Sequence, residues 1–377
     1  MITYRTALPS EREACLSLAN QVFSRVSYPH DFAALLPKVY GPDVDSAQLH
    51  FLAVDDEQGI RGLVATLPGT LWVNGAPLKT GYIGTVCVHP EARGEGHMKK
   101  LMQLNMDRML QNGTDIAMLG GQRQRYSYFG YESGGVRMTA VVSKWAVRHA
   151  LSHCETDDVT FQEMQPGADM ERQAAALHQS QAMYASRAEF GFVTAARSYN
   201  HKPYAALQNG RLLGYVIAGK DPAQAAEVLA DTPEHLDSII KGWIALHQLT
   251  YFSFPIPGWN IPMIEHVWDY AESMQASSCI QVCILRYAPV VRALLDLKSR
   301  YAPLADGVLE LEADGQAFTV TVKDNRVQAA DGANHPQRFS HRDMQRLLTD
   351  PFYFSRQSLA PGGWFPLPLF MSEPDEF

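Results

Sequence analysis

The first 90 residues begin with a short strand pattern and a helical stretch, and several apolar runs of strand length follow. A strand is expected to about Ala7, followed by a helix whose start is marked by Ser10 with Glu13 three residues later. The apolar runs that follow are separated by turn signals at residues 55–59 and at Asn74-Gly75. This pattern predicts a meander of antiparallel strands.

The same unit continues with a strand, a helix and two more strands. The apolar run 82–88 ends at His89-Pro90, and apolar positions at helical spacing follow from Met98 onward. Further strands are predicted at 116–119 and 136–142. Together these elements make an α/β unit of about 145 residues.

A second unit has a similar order of elements. Asp169 marks the start of a helix expected to reach about Met183, and residues 204–218 form a strand, a turn and a strand that echo 51–65. The other predicted elements of this unit are a helix after Pro233, a strand at 251–254, a helix at 264–274 and a strand at 279–285. The pattern by itself leaves open whether the two units are a true duplication.

The last stretch of about 90 residues has a third pattern, that of a small α+β module. Its predicted elements are a helix at 287–297, strands at 308–312 and 318–322, and a capped helix at 340–348. The segment 361–370 contains several prolines, which predicts an extended path without regular hydrogen bonding.

Composition excludes several classes of protein. Of the 377 residues, 32 are basic and 40 acidic, so the chain lacks the basic excess that a nucleic-acid-binding protein needs. No apolar run is long enough for a membrane span, and the first residues contain no signal-type apolar core, so a cytoplasmic protein is expected. The five cysteines are scattered and lack histidines at metal-finger spacing, so neither a disulfide framework nor a metal site is expected.

The most informative segment for chemistry is residues 86–101, a strand that leads through a glycine-rich turn into a helix. Gly94 and Gly96 allow an anion to approach the main chain, and Arg93 adds a positive charge. Backbone N–H groups at a helix N-terminus bind phosphate groups. A strand–turn–helix junction without any ligand has the same local pattern, so the two glycines alone do not decide between these interpretations.

The order Arg93-Gly94-Glu95-Gly96-His97-Met98 resembles the acetyl-coenzyme A signature of the GNAT acetyltransferases. Met98 departs from that signature, since most of the family has glycine or alanine there. The resemblance implies acetyl-CoA as cosubstrate, with its pyrophosphate on this loop and its pantetheine arm along the preceding strand. The coenzyme-binding residues that it implies are Val86, Cys87, Val88, Arg93, Gly94, Glu95, Gly96, His97, Met98, Lys99, Gly121 and Gln122.

A second motif, Tyr-x-x-Phe-Gly-Tyr at residues 126–131, resembles the loop of the Eis-like acetyltransferases (enhanced intracellular survival family). The resemblance implies tandem GNAT domains with mixed, mostly antiparallel sheets flanked by helices, then a small α+β domain similar to sterol carrier proteins. The implied boundaries are 1–148, 149–286 and 287–377. It further implies that Tyr126 protonates the leaving thiolate, that the terminal carboxylate of Phe377 is the base, and that the protein is a homohexamer.

Each of these roles has a plainer alternative. Tyr126 belongs to an aromatic cluster that could serve packing alone, and a chain end such as Phe377 is ordinarily frayed. His89 and His97 are expected in surface or capping positions. Cys87 is expected to pack in a strand, because no histidine partner is near to activate its thiol.

The second unit lacks the glycine-rich loop, so no coenzyme is expected there. We expect it to wall the acceptor pocket and carry subunit contacts, with acidic residues in the pocket attracting a cationic amine.

The leading functional hypothesis is an acetyl-CoA-dependent N-acetyltransferase that acts on a primary amine, such as an aminoglycoside, a polyamine or a lysine side chain. One alternative is a non-catalytic coenzyme A or lipid-binding sensor. A third hypothesis, aminoacyl transfer from a charged tRNA, conflicts with the acidic balance of the chain.

Overall fold

The computed structural model describes residues 1–25, 29–154, 156 and 158–377. The strands in this part of the chain are β1 (Ile2–Thr6), β2 (His50–Asp55), β3 (Gly59–Val73), β4 (Ala76–Val88), β5 (Ile116–Leu119), β6 (Glu132–Gly134), β7 (Arg137–Ser143), β8 (Val159–Glu163), β9 (Met183–Ala185), β10 (Lys202–Gln208), β11 (Arg211–Ala218), β12 (Ala225–Ala230), β13 (Tyr251–Pro257), β14 (Ser273–Ser277), β15 (Ile280–Ile284), β16 (Gly307–Ala313), β17 (Gln316–Lys323), β18 (Arg326–Asp331) and β19 (Gln337–Arg338).

The α-helices of the described residues are α1 (Arg12–Ser24), α2 (Phe32–Leu35), α3 (Pro37–Tyr40), α4 (His97–Gln111), α5 (Arg123–Tyr126), α6 (Lys144–His149), α7 (Asp169–Gln179), α8 (Phe192–Ala196), α9 (Pro233–Leu246), α10 (Ile261–Trp268), α11 (Tyr287–Ser299) and α12 (His341–Thr349).

The first unit is built on one large sheet with the strand order β1-β2-β3-β4-β5-β15-β6, and β9 adds to β3. The pairs along this sheet are antiparallel except for β4 and β5, which run parallel. Helix α4 packs on one face through apolar side chains such as Leu101 and Met102, while α1 and α11 cover the other face. The two faces thus form separate cores.

The second unit has the same plan, divided between two sheets with the orders β12-β11-β10-β8 and β13-β7-β14. Helix α9 packs on one face through residues such as Trp243 and Ile240, and α7 and α8 pack on the other. The fold-class prediction of mixed, mostly antiparallel sheets flanked by helices is therefore confirmed.

The two units exchange one strand each. Strand β15 lies between β5 and β6 in the first sheet, although in the sequence it is the last strand of the second unit. Strand β7 lies between β13 and β14 of the second unit, although it precedes that unit. The boundaries at 148 and 286 stay predictions. Across these boundaries, the first unit supplies β7 to a sheet of the second, and the second supplies β15 to the sheet of the first.

The C-terminal module contains the sheet β18-β17-β16-β19, with α11 between this sheet and the first unit. Helix α12 attaches to β15 through Gln345, whose side-chain amide exchanges two hydrogen bonds with the backbone of Ile284. The segment after α12 runs through the core, where Trp364, Leu367 and Leu369 are fully buried. The chain end is therefore packed and not frayed.

Three local predictions were wrong. The first helix begins at Arg12, directly after a 3-10 turn at Pro9–Glu11, and Ser10 and Glu13 do not form the predicted pair. The carboxylate of Glu11 accepts from the N–H of Leu8 and closes that turn. The helix predicted at 264–274 ends at Trp268, and its last residues lie in β14 because they pair with β7. Helix α7 likewise ends at Gln179, before the predicted Met183.

None of the helices in the described ranges is both long enough and apolar enough to cross a membrane.

We expect a fragment of residues 1–148 to fail to fold natively, since β5 and β6 would lose the strand that joins them. Near-ultraviolet circular dichroism and thermal unfolding of the fragment, compared with the full chain, would measure this. Co-expression with residues 149–377 should restore a soluble complex. Cooperative unfolding of the isolated fragment within about 3 °C of the full chain would contradict the importance of the exchanged strand.

Candidate active site

The site begins where β4 separates from β5. The parallel pairing of the two strands runs from Thr80 opposite Ile116 to Ile83 opposite Leu119 and ends there. Just beyond, the register of β4 against β3 shifts, and Thr85 has a φ of +46°, an unusual value for a β-branched residue. The Tyr40 hydroxyl lies 2.5 Å from Thr85 Oγ1 and steadies this bulge.

The diverging strands open a large groove, with a cavity volume of about 770 Å³. The predicted coenzyme residues that line it are Val86, Cys87, Val88, Arg93, Gly94, Gly96, His97, Met98, Lys99 and Gln122. Beyond Ile83, no described strand pairs with this edge of β4, so its backbone is available to a ligand. Cys87 points into the core, where burial raises the pKa of its thiol to about 12, as expected for a packing residue.

The turn at the end of the groove has the geometry of an anion site. Gly94 and Gly96 have φ values of +91° and +85°, which favour glycine, and Gly96 is the N-cap of α4. No side chain caps the first N–H groups of this helix. Arg93 and Lys99 are exposed beside it, so free N–H donors and positive charge meet at one place.

In the second unit, the N-terminus of the corresponding helix is capped by a side chain. The helix α9 that follows β12 starts at a Thr232 cap, whose hydroxyl accepts from the N–H of His235. This supports the expectation that the second unit holds no coenzyme.

His97 is buried within the turn, contrary to the surface or capping position expected for it. Its Nδ1 lies 2.8 Å from the Tyr4 hydroxyl, and its Nε2 lies 2.9 Å from a carboxylate oxygen of Glu95. Glu95 itself does not line the groove. His97 therefore ties the loop to β1 and holds the carboxylate of Glu95 in place.

A second cavity, of about 330 Å³, adjoins the groove. Phe23, Val86, Gln122 and Arg125 line both cavities, so a ligand in one can reach a ligand in the other. Gly121, predicted as a coenzyme residue, lines only this second cavity.

Both predicted catalytic residues line the second cavity. Tyr126 is 7% exposed and closely approaches Gly121, where any Cβ would lie 2.7 Å from its ring. Burial raises the pKa of Tyr126, and the neighbouring Arg125 opposes part of that rise. The phenol is therefore protonated at neutral pH and is available as a donor.

Phe377, the last residue, is also 7% exposed. Its ring lies flat against the bulge, so that a Cβ on Gly84 would be 2.8 Å from it. The ring centroid lies 6.0 Å from that of Tyr40. The structure thus brings the C-terminus and Tyr126 to one cavity from positions 251 residues apart in the sequence.

The tail that carries Phe377 is held by a buried ion cluster from the second unit. Arg187 donates to the Asp375 carboxylate at 2.6 and 3.0 Å and to the Glu227 carboxylate at 2.7 and 3.2 Å. Ser372 also donates to Glu227 at 2.5 Å. Although burial acts to raise the pKa of Glu227, Arg187 holds it well below the ordinary value. We call Arg187, Glu227 and Asp375 the tail anchor.

Two further cations contact the tail. Lys38 donates to the carbonyl of Pro374 at 2.6 Å, and Arg137 donates to Glu373 at 3.2 Å. Lys38 belongs to α3 and Arg137 to β7, so two further elements hold the tail.

Sequence reasoning missed several residues that line the second cavity. Arg125 is one that could have been found, because it is a charged residue next to Tyr126 in the recognised loop. Phe23, Phe32 and Tyr199 approach from α1, α2 and the second unit, and nothing in their local sequence marks them. No group of three or more His, Cys, Asp or Glu side chains that could hold a metal ion occurs among the described residues.

Glu376, the penultimate residue, titrates in an unusual range. Desolvation raises the pKa of its carboxyl to about 7; Arg137 and Lys38 oppose the rise, and Glu373 adds to it. The protonated form is therefore favoured in the folded protein relative to the unfolded chain. Between the ordinary value of 4.5 and about 7, an increase in pH lowers the stability of the native state.

We expect Glu376→Gln to remove this pH dependence. Relative to the variant, the wild type should lose about 1–3 kcal/mol of unfolding free energy as the pH rises from 4.5 through 7. Urea unfolding between pH 4.5 and 8 measures the difference, with the exposed Glu57→Gln as the control. Parallel stability profiles of the wild type and Glu376→Gln would contradict the assignment.

Comparison with known proteins identifies a family for the first unit. Residues 3–134 match a family model described as an acetyltransferase (GNAT) domain. No curated protein matches the chain.

Similar solved structures cover most or all of the chain. A GCN5-related N-acetyltransferase from Anabaena variabilis ATCC 29413 has a TM-score of 0.71 at 16% identity, with 100% of both chains covered. Eis1 from Mycobacterium abscessus has a TM-score of 0.68 at 14% identity, covering 100% of this chain and 99% of its own. A probable N-acyltransferase from Enterococcus faecalis V583 has a TM-score of 0.66 at 15% identity, covering 92% and 90%.

At these identities the structures show a shared fold. The match over residues 3–134 shows more, because it falls on the unit that contains the groove and the glycine turn. The chain therefore contains a GNAT acetyltransferase domain, which makes the protein an enzyme of the acetyltransferase class.

Proposed function

We propose that this protein transfers the acetyl group of acetyl-CoA to the nitrogen of a primary amine. The observation that carries the proposal is the junction of two cavities: the glycine turn at 93–96 lines one, and Tyr126 and the chain end line the other. One cavity suits an extended cosubstrate with a phosphate-rich end, and the other suits an acceptor. Acetyl-CoA supplies the acetyl thioester that is broken in the reaction.

The groove fits this cosubstrate in three respects. The open backbone edge of β4 can pair with the amide groups of a pantetheine arm. The uncapped N-terminus of α4 can accept the pyrophosphate, with Arg93 and Lys99 beside it. The exposed Tyr128 ring, with Lys99 Nζ 5.1 Å from its centroid, lies in the same groove.

In the proposed reaction an N–C bond forms as the C–S bond breaks. The amine nitrogen loses one proton, which the Phe377 carboxylate accepts directly or through water. The departing sulfur gains one proton from the Tyr126 hydroxyl. The products are an acetamide and a free thiol, and solvent restores the protons of the two groups.

The tail anchor takes no part in the proton transfers of this mechanism and serves only to position the chain end. It fixes Asp375, two residues before Phe377, and the ring of Phe377 packs against Gly84 at the cavity. The second unit thus contributes to the site without binding cosubstrate.

Thiol release from acetyl-CoA, measured with a panel of primary amines, tests the proposal. Amine-dependent release with formation of the acetamide is the expected result. The alternative, a coenzyme A or lipid-binding sensor, predicts tight binding without turnover of any acceptor. The homohexamer and the similarity of residues 287–377 to sterol carrier proteins stay predictions.

We expect Tyr126→Phe to lower kcat by about 10²-fold or more, because the variant lacks the proton donor. The KM for acetyl-CoA should change by less than about threefold, since the ring remains. Steady-state kinetics measures both values.

Tyr131→Phe is the matched control, because Tyr131 belongs to the same loop but donates its hydroxyl to the sulfur of Met106. Equal losses in the two variants would contradict the role of Tyr126.

We expect two glycines added after Phe377 to lower kcat by about 10²-fold, because they displace the terminal carboxylate from the cavity. The same two glycines placed before the exposed Met1 serve as the control. An unchanged rate in the C-terminally extended protein would show that the carboxylate is not the base.

A further inference from the structure

The 330 Å³ cavity described above, here called the acceptor cavity, has one wall made mainly of apolar and aromatic side chains. Its polar lining comes from His30, Thr85, Gln122 and Arg125. Side chains of Phe23, Phe32, Tyr126, Tyr199 and Phe377 contribute rings from separate elements. Leu35 and Leu36 complete the wall at the end of α2. Such a surface favours an apolar ligand body and stacks well against a flat ring.

The charges around this cavity do not favour a polycation. Among the described residues that line it there is no aspartate or glutamate side chain, and Arg125 adds a positive charge. Phe377, which also lines the cavity, carries the terminal carboxylate that the proposed function uses as the base. This corrects the expectation that acidic side chains line the pocket.

The acidic residues close to the site have other partners. Glu227 and Asp375 belong to the tail anchor, and Glu373 pairs with Arg137. Glu376 lies behind Gly120, where a Cβ would be 3.8 Å from its carboxylate, and it faces Arg137 and Tyr82. None of these carboxylates is free to pair with a second ammonium group of an acceptor.

A single ammonium group can be accommodated by the terminal carboxylate and by the faces of the surrounding rings. A second ammonium held against the wall of Phe32, Leu35 and Leu36 would be taken out of water without a carboxylate side chain of the lining to pair with, which is unfavourable. The volume also lies near the lower end for ligand sites, so a multi-ring acceptor would not be enclosed.

We infer that the acceptor is a small primary monoamine with an apolar, preferably aromatic, body. This inference rests on the proposed function and narrows it: aminoglycosides and polyamines are disfavoured as acceptors. The specificity-determining surface is the wall formed by Phe32, Leu35 and Leu36 together with Tyr199.

The test compares acceptors that differ only in the second charge. With the full-length protein and acetyl-CoA, we expect kcat/KM for n-butylamine to exceed that for 1,4-diaminobutane at least tenfold. 2-Phenylethylamine should be better than either, and an aminoglycoside or a lysine-containing peptide should be poorer. A preference for the diamine, the aminoglycoside or the peptide would overturn the inference and leave the proposed function standing. Absence of acetyl transfer to every amine would overturn the proposed function itself.

A variant of the wall gives an independent result. Leu35→Glu places a carboxylate in the cavity and should raise the preference for 1,4-diaminobutane over n-butylamine by about tenfold relative to the wild type. Leu35→Gln, of similar size but uncharged, should leave that ratio near the wild-type value. Equal ratios in the two variants would contradict the electrostatic argument. Thermal unfolding checks that both variants fold, and the wild-type comparison stands without them.

Discussion

Arg187 lies buried between the carboxylates of Glu227 and Asp375, and the position of the chain end depends on this contact. A buried ion cluster of this kind adds little net stability over apolar packing, but loss of one partner leaves an uncompensated charge at a cost of roughly 3–5 kcal/mol. Its value to the protein is therefore geometric. It joins the second unit to the tail and so places Phe377 against the first unit.

The same terminus rests on a strained strand. Thr85 and Tyr199 both have φ near +50° to +60° and both line the acceptor cavity. Each such conformation costs of the order of 1–2 kcal/mol, so surrounding contacts must hold it. For Thr85 the buried Tyr40 hydroxyl provides that contact, and Tyr40 is in turn 3.0 Å from His50 Nε2. The bulge separates β4 from β5 and thereby makes room for a ligand between them.

The exchange of β7 and β15 makes the sheets of the two units depend on each other. Each unit contributes a central strand to the other, so neither sheet is complete alone. In the first unit, no side chain caps the N-terminus of α4, whereas in the second unit Thr232 caps the N-terminus of α9. The second unit contributes Arg187 and Glu227, which hold the tail.

Local patterns in the sequence were enough to predict most strands, the glycine turn at 93–98 and the loop that carries Tyr126. These features depend on contacts between residues close in the chain: an alternation of side chains, a positive φ, a helix N-terminus. The end of α10 was mispredicted because pairing with β7, more than 130 residues away, outweighed the local helical pattern.

Only the tertiary structure decided the strand exchange, the partners of Arg187 and the apolar walls of the acceptor cavity. Each of these brings together residues from distant segments, such as Arg187 with Asp375 or Phe32 with Phe377, and no local signal marks such pairs. The sequence by itself therefore indicated the glycine turn of the first unit and the kind of cosubstrate proposed for it. The acceptor side was decided by packing, because its charge and shape come from elements that meet only in the folded chain.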